Sequence, residues 1–255
     1  GESERTLARA LKAANIKDQD VVIATKWMPV FRTAGSIIKT IDKRLEALDG
    51  FTLSLHQIHN PLSFSGISSE MKAMARLVRN NQVRYVGVSN FSARQMRKAH
   101  HELEKHGIRL VSNQVHYNLL NRKIERNGIL ETARELGIAI IAYSPLAQGV
   151  LTGKYHDQPG SIKSKQGFRK KMGAFKSQAL ERTRPLIGRI RDIAGKHNAT
   201  EAQVALNWLI HHSGETVFAI PGASNPDQAK SNARAMNISL TDEEMSILDQ
   251  ESKLV

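Results

Sequence analysis

Residues 84–91 read RYVGVSNF, and the order of polar and apolar groups in them decides the architecture. Tyr85-Val86-Gly87-Val88 is short, β-branched and aromatic, the composition of a buried strand. It stops abruptly in Ser89 and Asn90, two small polar groups out of place in an apolar core. Ser92 then caps a helix predicted over Ala93 to His106. A strand whose carboxyl end carries polar side chains, followed at once by a helix, is the unit from which α/β enzymes build sites.

The same unit recurs on both sides. Towards the amino end, Ser3 is the expected cap of a helix with Leu7, Ala10, Leu11 and Ala14 on one face. A strand follows over Val21 to Thr25, ending in Lys26, and an amphipathic helix over Thr33 to Leu48 carries Ile37, Ile38, Ile41 and Leu45 as its core stripe. Phe51 to His59 alternates, with its polar end at His59 and a stop at Asn60-Pro61, and Ser68 to Asn80 is the next helix. Towards the carboxyl end come a strand over Leu110 to His116, a helix over Arg126 to Leu136 closed by Gly137, and a strand over Ile138 to Tyr143. Ser144 to Gly149 then reads as a turn-forming loop, continued by a long Gly-, Ser- and Lys-rich stretch to about Phe175, too long for a plain connector. Helices near Ala179 to Lys196 and Thr200 to His212, a strand over Thr216 to Ile220, a helix opened by Asn225 or Pro226 and a last helix capped by Thr241 complete the chain.

Six strand-then-helix units without hairpin signals imply parallel strands with right-handed crossovers. They either close into a (β/α)8 TIM barrel or open into a doubly wound sheet, as one domain over 1–255. No Gly-x-Gly-x-x-Gly fingerprint follows the first strand, which argues against a classical Rossmann fold. A closed barrel needs eight units, so the expectation is that the first two lie outside this sequence, ahead of Gly1.

Composition narrows the function classes. With no cysteine there is no disulfide framework and no thiolate nucleophile, which fits a reducing compartment, and the expected location is the cytoplasm. No run is apolar enough to cross a bilayer, so no membrane partner is expected. The formal net charge of +13 raises the question of nucleic acid. Lys and Arg are spread over most helices, however, and aromatics, at 5%, do not interleave with the one basic concentration, Lys154, Lys163, Lys165, Arg169, Lys170, Lys171 and Lys176. A base-stacking platform needs that interleaving, so the better reading is a phosphate-bearing small ligand near the loop.

The strand ends in order are Lys26, His59, Ser89 with Asn90, Gln114, Tyr143 with Ser144, and Gly222 to Ser224. In a parallel barrel they converge on one mouth. A Lys and a His there polarise and protonate a carbonyl oxygen, while Ser, Asn and Gln fix a carboxamide. Tyr143 offers a face for a flat ring. Gly149, Lys154 and the helix opened by Asn225 suit a pyrophosphate or other anion. Singly, each has a plainer reading: a solvated strand end for Lys26, structural histidines for His59 and His56, a helix-start cap for Ser89-Asn90, packing for Tyr143, turn glycines for Gly149 and Gly222. The conjunction, not any member, points to a site.

The chain resembles the aldo-keto reductases over essentially its whole length. The carrying segments are ATKW (24–27), QIHNP (57–61), GVSNF (87–91), NQVHYNLL (113–120), AYSPLAQGVLTGKY (142–155) and IPGASNPDQAKSN (220–232). The resemblance implies an eight-stranded (β/α) barrel, the (β/α)8 TIM barrel, and reduction of small aldehydes or ketones by a nicotinamide cofactor, usually NADP(H), with NAD(H) left open. It makes Lys26 and His59 the lysine and histidine of the family's Asp, Tyr, Lys, His tetrad, and puts the Asp and Tyr ahead of Gly1. It implies carboxamide contacts from Ser89, Asn90 and Gln114, stacking from Tyr143, pyrophosphate contacts from Ser144, Pro145, Leu146, Gln148, Gly149 and Lys154, and adenosine-side contacts from Ser224, Gln228 and Asn232. Many relatives place Lys or Arg against a 2′-phosphate where this sequence has Gly222 and Ser224, so Ser224 with Arg169 or Lys171 is the expected substitute. Trp27 begins one of the loops expected to meet substrate, with Leu62 to Gly66 and Lys154 to Phe175. No metal is implied. A nucleotide-sensing regulatory subunit, as potassium-channel β subunits resemble this family, is the alternative function, and a truncated inactive fragment the third.

Overall fold

The computed structural model describes residues 1–158 and 175–255. Its helices and strands run in the order α1 (Glu2–Ala13), β1 (Ala24–Trp27), α2 (Gly35–Ala47), β2 (Leu55–Ile58), α3 (Ile67–Arg79), β3 (Tyr85–Ser89), α4 (Ala93–Glu104), β4 (Leu110–His116), α5 (Lys123–Arg126), α6 (Ile129–Leu136), β5 (Ala139–Tyr143), α7 (Lys154–Asp157), α8 (Ser177–Lys196), α9 (Glu201–His211), β6 (Val217–Ala219), α10 (Pro226–Arg234) and α11 (Asp242–Lys253). The alternation of strand and helix is the one the sequence implies. Arg169, with Lys163, Lys165, Lys170 and Lys171, lies outside the described residues. The chain clusters into two compact units, Gly1–Val115 with Asn127–Ile140, and His116–Arg126 with Ile141–Val255.

In the first unit β1 to β4 are neighbours in chain order and all parallel, with Lys26 opposite Gln57, Gln57 opposite Gly87, Gly87 opposite Ser112, and Ser89 opposite Gln114. Helix α4 starts where Ser92 and Gln95 cap each other, the Gln95 N–H donating to Ser92 Oγ and the Ser92 N–H to Gln95 Oε1 at 2.9 Å. That reciprocal cap contributes about 1 kcal/mol and fixes the chain just past Asn90. Two expectations need correcting. The stretch over 51–59 does not alternate: all four residues of β2 are buried, because a parallel strand is covered on both faces. In α1 it is Ala8, not the Leu7 and Ala10 stripe, that is buried, and the N-cap is Gly1.

Burial on both faces of β2 puts His56 in the core, its Nδ1 3.1 Å from Thr25 Oγ1 and its Nε2 without a partner. Desolvation, with the Arg44 charge adding to it, lowers its pKa to about 3. The unfolded chain binds a proton on this ring near pH 6.5 and the folded chain does not, so stability is complete above that pH and falls as the pH drops towards 3. By pH 5 the expected loss is about 2 kcal/mol. Urea denaturation at pH 7 and pH 5 checks this, with His56→Gln expected to flatten the difference.

In the second unit the Ile220 N–H donates to the Ala142 carbonyl at 3.1 Å, seating the end of β6 beside β5. Its core lies between α8 and α9, where Leu186, Ile187, Ile190, Val204, Ala205, Trp208 and Leu209 are buried. The 116–126 segment is held to the same core by Arg122. That guanidinium stands 5.0 Å over Trp208 and donates to Glu125 Oε2 and Asp249 Oδ1, both at 2.6 Å. The single helix expected over Arg126 to Leu136 is interrupted by Gly128, whose φ of 79° sets it apart as the left-handed start of α6. The loop expected after Gly149 is instead wound into 3-10 turns over Ala147–Thr152 and the short α7.

Candidate active site

In the first unit, strand alternation and register place the polar strand ends on one face. Lys26 lies in the row with Gln57, Gly87 and Ser112, and the next row carries His59, Ser89 and Gln114, since side chains two apart share a face. The side chains join. Lys26 Nζ donates to Gln114 Oε1 at 3.1 Å, Ser89 Oγ to the Gln114 carbonyl at 2.8 Å, and the Asn90 N–H to that same carbonyl at 2.9 Å. Asn90 Nδ2 donates to the His59 carbonyl at 3.2 Å and to Ser89 Oγ at 3.1 Å. Asn90 holds a left-handed φ of 61°, a strained conformation for a residue with a Cβ, and this lets one residue bind back to two strands.

The electrostatics of this cluster are set by burial. Desolvation lowers the Lys26 pKa below the ordinary lysine value, and Lys26 enters no ion pair among the described residues. Desolvation, then the Lys26 charge, lowers His59 as well. A half-buried ammonium beside a neutral imidazole can polarise a carbonyl oxygen and support its protonation. Trp27 does not join them. It is one residue from Lys26 and so points to the other side of β1, where it is 0% exposed and donates from Nε1 to Ser36 Oγ at 3.0 Å. The expectation that Trp27 touches substrate is corrected by that burial.

Two loops leave these strand ends side by side. The His59 N–H donates to the Trp27 carbonyl at 3.0 Å and, farther out, the Phe64 N–H to the Arg32 carbonyl at 2.9 Å. They carry Phe31, 84% exposed, and Phe64, 71% exposed, with ring centroids 6.1 Å apart.

In the second unit a cavity of about 740 Å³ gathers Ser144, Pro145, Leu146, Gln148, Gly149, Lys154, Gly222, Ser224, Gln228 and Asn232, ten residues singled out in the sequence. Its size is that of a cofactor-sized pocket. Ser144 and Gln148 have left-handed φ of 51° and 56°, and Gly149 has 95°, so the loop keeps strain at the cavity wall. Gln148 Oε1 is buried there with no hydrogen-bond partner, a polar atom that a ligand donor would satisfy. At the opposite wall Asn225 caps α10, Pro226 occupies its first turn, and the Ser224 N–H donates to Gln228 Oε1 at 2.8 Å while Asn232 Nδ2 donates to the Gly222 carbonyl at 3.3 Å. The turn is thereby folded onto a helix N-terminus, which favours anions. A pyrophosphate-bearing cofactor fits this donor set. Thr200 and Glu201, at the start of α9, line the cavity too and were not singled out. Tyr143 does not line it: the ring stacks on His116, centroids 5.3 Å apart and planes 9° from parallel. His116 was also passed over, although it lies two residues after Gln114 and so shares its face of β4.

The profile of the Aldo/keto reductase family matches residues 1–253. The chain belongs to the aldo/keto reductase family. An oxidoreductase of Mycobacterium bovis is 36% identical over 243 residues, 94% of this chain and 71% of that protein. Pyridoxal reductase of Arabidopsis thaliana is 33% identical over 261 residues, 99% of this chain and 69% of that one. Among solved structures, a thermostable aldo-keto reductase crystallised with the inhibitor epalrestat superposes with a TM-score of 0.77 at 29% identity, covering 98% of this chain and 78% of that one. The fold is thus the α/β barrel fold of the aldo-keto reductases, as expected, and the chain is a carbonyl-reducing oxidoreductase. These relatives lend no support to the regulatory-subunit alternative. No helix among the described residues is long and apolar enough to cross a membrane.

Proposed function

We propose that this aldo/keto reductase uses NADPH to reduce small aldehydes and ketones, as one domain acting in the cytoplasm. The observation that carries the reading is the linked cluster of Lys26, His59, Ser89, Asn90 and Gln114 on one face of the first unit. A bound reduced nicotinamide supplies a hydride for the carbonyl carbon. Lys26 and His59 polarise the carbonyl oxygen and support the group that delivers its proton. Ser89, Asn90 and Gln114 hold the carboxamide, with Gln114 fixed in orientation by Lys26. Tyr143 stacks on the ring. Ser144, Pro145, Leu146, Gln148, Gly149 and Lys154 hold the pyrophosphate, the orphaned Gln148 Oε1 being the atom with most to gain. Gly222, Ser224, Gln228 and Asn232 hold the adenosine side.

The preference for NADPH over NADH rests on the net charge of +13 and on the anion-favouring start of α10. The exposed Phe31 and Phe64 favour carbonyl compounds with an apolar or aromatic body over sugars. Titration of intrinsic fluorescence with each dinucleotide tests the reading. The expected result is saturable, stoichiometric quenching by NADPH at about tenfold lower concentration than by NADH. Equal affinities would remove the NADPH preference, and no quenching by either would remove the function.

A further inference from the structure

We infer that His116, held by Asn118 and Asn121, is a positioning residue that fixes the Tyr143 ring and the Ser144 peptide for the nicotinamide. The inference rests on the cofactor reading above and concerns a residue that touches neither cofactor nor substrate in it. Its basis is a clamp whose parts are all in the second unit. The His116 ring lies flat against Tyr143, centroids 5.3 Å apart and planes 9° from parallel, so one face of the tyrosine has a fixed backing. Both ring nitrogens of His116 are held in turn: Asn118 Nδ2 stands 3.1 Å from Nε2, and Asn121 Nδ2 2.6 Å from Nδ1.

The hydrogen-bond directions follow from Asn118. Its Nδ2 donates to the Ser144 carbonyl at 2.9 Å and its Oδ1 accepts from the Leu120 N–H at 2.8 Å, so its amide has one orientation. It therefore donates to His116 Nε2, which offers a lone pair. Asn121 closes the other edge of the ring, its Nδ2 2.6 Å from Nδ1 and its Oδ1 accepting from the Lys123 N–H at 3.5 Å. Burial and the Lys123 charge lower the His116 pKa and favour the neutral ring that the Asn118 bond requires.

The same Asn118 amide anchors a strained peptide. Ser144 has a φ of 51°, a left-handed conformation that is strained in a residue with a Cβ. Its carbonyl is held by Asn118 Nδ2 and by the Ala147 N–H at 2.9 Å. Asn118 and Asn121 are themselves braced by a pair of backbone hydrogen bonds, and Arg122, the next residue, donates to Asp249 Oδ1 at 2.6 Å. The ring that backs Tyr143 and the bond that fixes Ser144 thus belong to one rigid unit, and it acts on two adjacent residues of the proposed cofactor site.

The test compares NADPH titrations, steady-state kinetics and thermal melts of the wild type with those of His116→Ala, His116→Phe and Asn118→Ala. The expected result is a Kd for NADPH raised about tenfold in His116→Ala, with the KM for the aldehyde changed less than about twofold. His116→Phe, which keeps a flat backing but no acceptor, recovers part of that loss. Asn118→Ala matches His116→Ala, and the double variant binds no more weakly than either single one, because the clamp acts as a unit. If His116→Ala melts early, His116→Phe and Asn118→Ala still decide the matter. Wild-type affinity for NADPH in folded His116→Ala and Asn118→Ala overturns the clamp alone, whereas wild-type protein that binds no NADPH overturns the cofactor reading and the clamp with it.

Discussion

Lys26→Met lowers kcat about a thousandfold while the Kd for NADPH moves less than about threefold. The Lys26 Nζ donates to Gln114 Oε1 at 3.1 Å and desolvation lowers its pKa, and in the proposed reading it is the cation that faces the carbonyl oxygen as that oxygen gains charge. Methionine matches its length and apolar stem but removes the charge and the donors. The loss is expected to fall on the step in which the oxygen becomes negative, and general acid–base support of that kind is worth about 10²–10⁴-fold. Lys26→Arg is expected to recover little, because a planar guanidinium does not replace a point charge at a single Gln acceptor. Rate and binding measured on the same preparations separate this from misfolding. A Lys26→Met protein that retains wild-type kcat would remove Lys26 from the chemistry.

The second large effect is on stability. Gly87→Ala is expected to cost about 2–3 kcal/mol and to lower Tm by about 5–10 °C. A Cβ at Gly87 would stand 2.2 Å from Ser112 Oγ, 3.1 Å from the Ser112 carbonyl and 3.2 Å from Gln57 Cγ. The glycine is required by this close approach across the row and not by its backbone angle. Gln57 Nε2 donates to Ser112 Oγ at 3.3 Å and to the Val88 carbonyl at 3.4 Å in the same buried space, so moving the hydroxyl aside also takes one of two hydrogen bonds from a buried amide. Combining Gly87→Ala with Ser112→Ala removes the shortest contact and is expected to restore about half of the loss. Thermal melts of the three variants check this, and an unchanged Tm in Gly87→Ala would contradict it.

Much of the site was legible because parallel strands deliver their carboxyl ends to one side. That rule alone singled out Lys26, His59, Ser89 and Gln114. Which of them would touch was not legible. The Lys26 to Gln114 bond depends on the register of four strands and on the irregularity between Val86 and Gly87 that shifts β4 along β3, and no side-chain pattern reports either. Trp27 was misread although the information was present: adjacent residues of a strand face opposite ways, so a catalytic Lys26 places Trp27 in the core. The alternation assigned to 51–59 failed for the opposite reason, since a strand buried on both faces has no polar face to alternate with. His116 was hidden because it closes a strand whose polar end had already been assigned to Gln114. Its value comes from Tyr143 and Asn118, partners 27 and 2 residues away that only the fold brings against its two edges and its face.

The most direct test of the account is NADPH oxidation by the protein in the presence of a panel of aldehydes, followed for wild type and Lys26→Met side by side. The account predicts steady turnover by the wild type, fastest with apolar and aromatic aldehydes, and near-complete loss in a variant that still binds NADPH. A wild-type protein that binds NADPH and oxidises none of it with any aldehyde would contradict it.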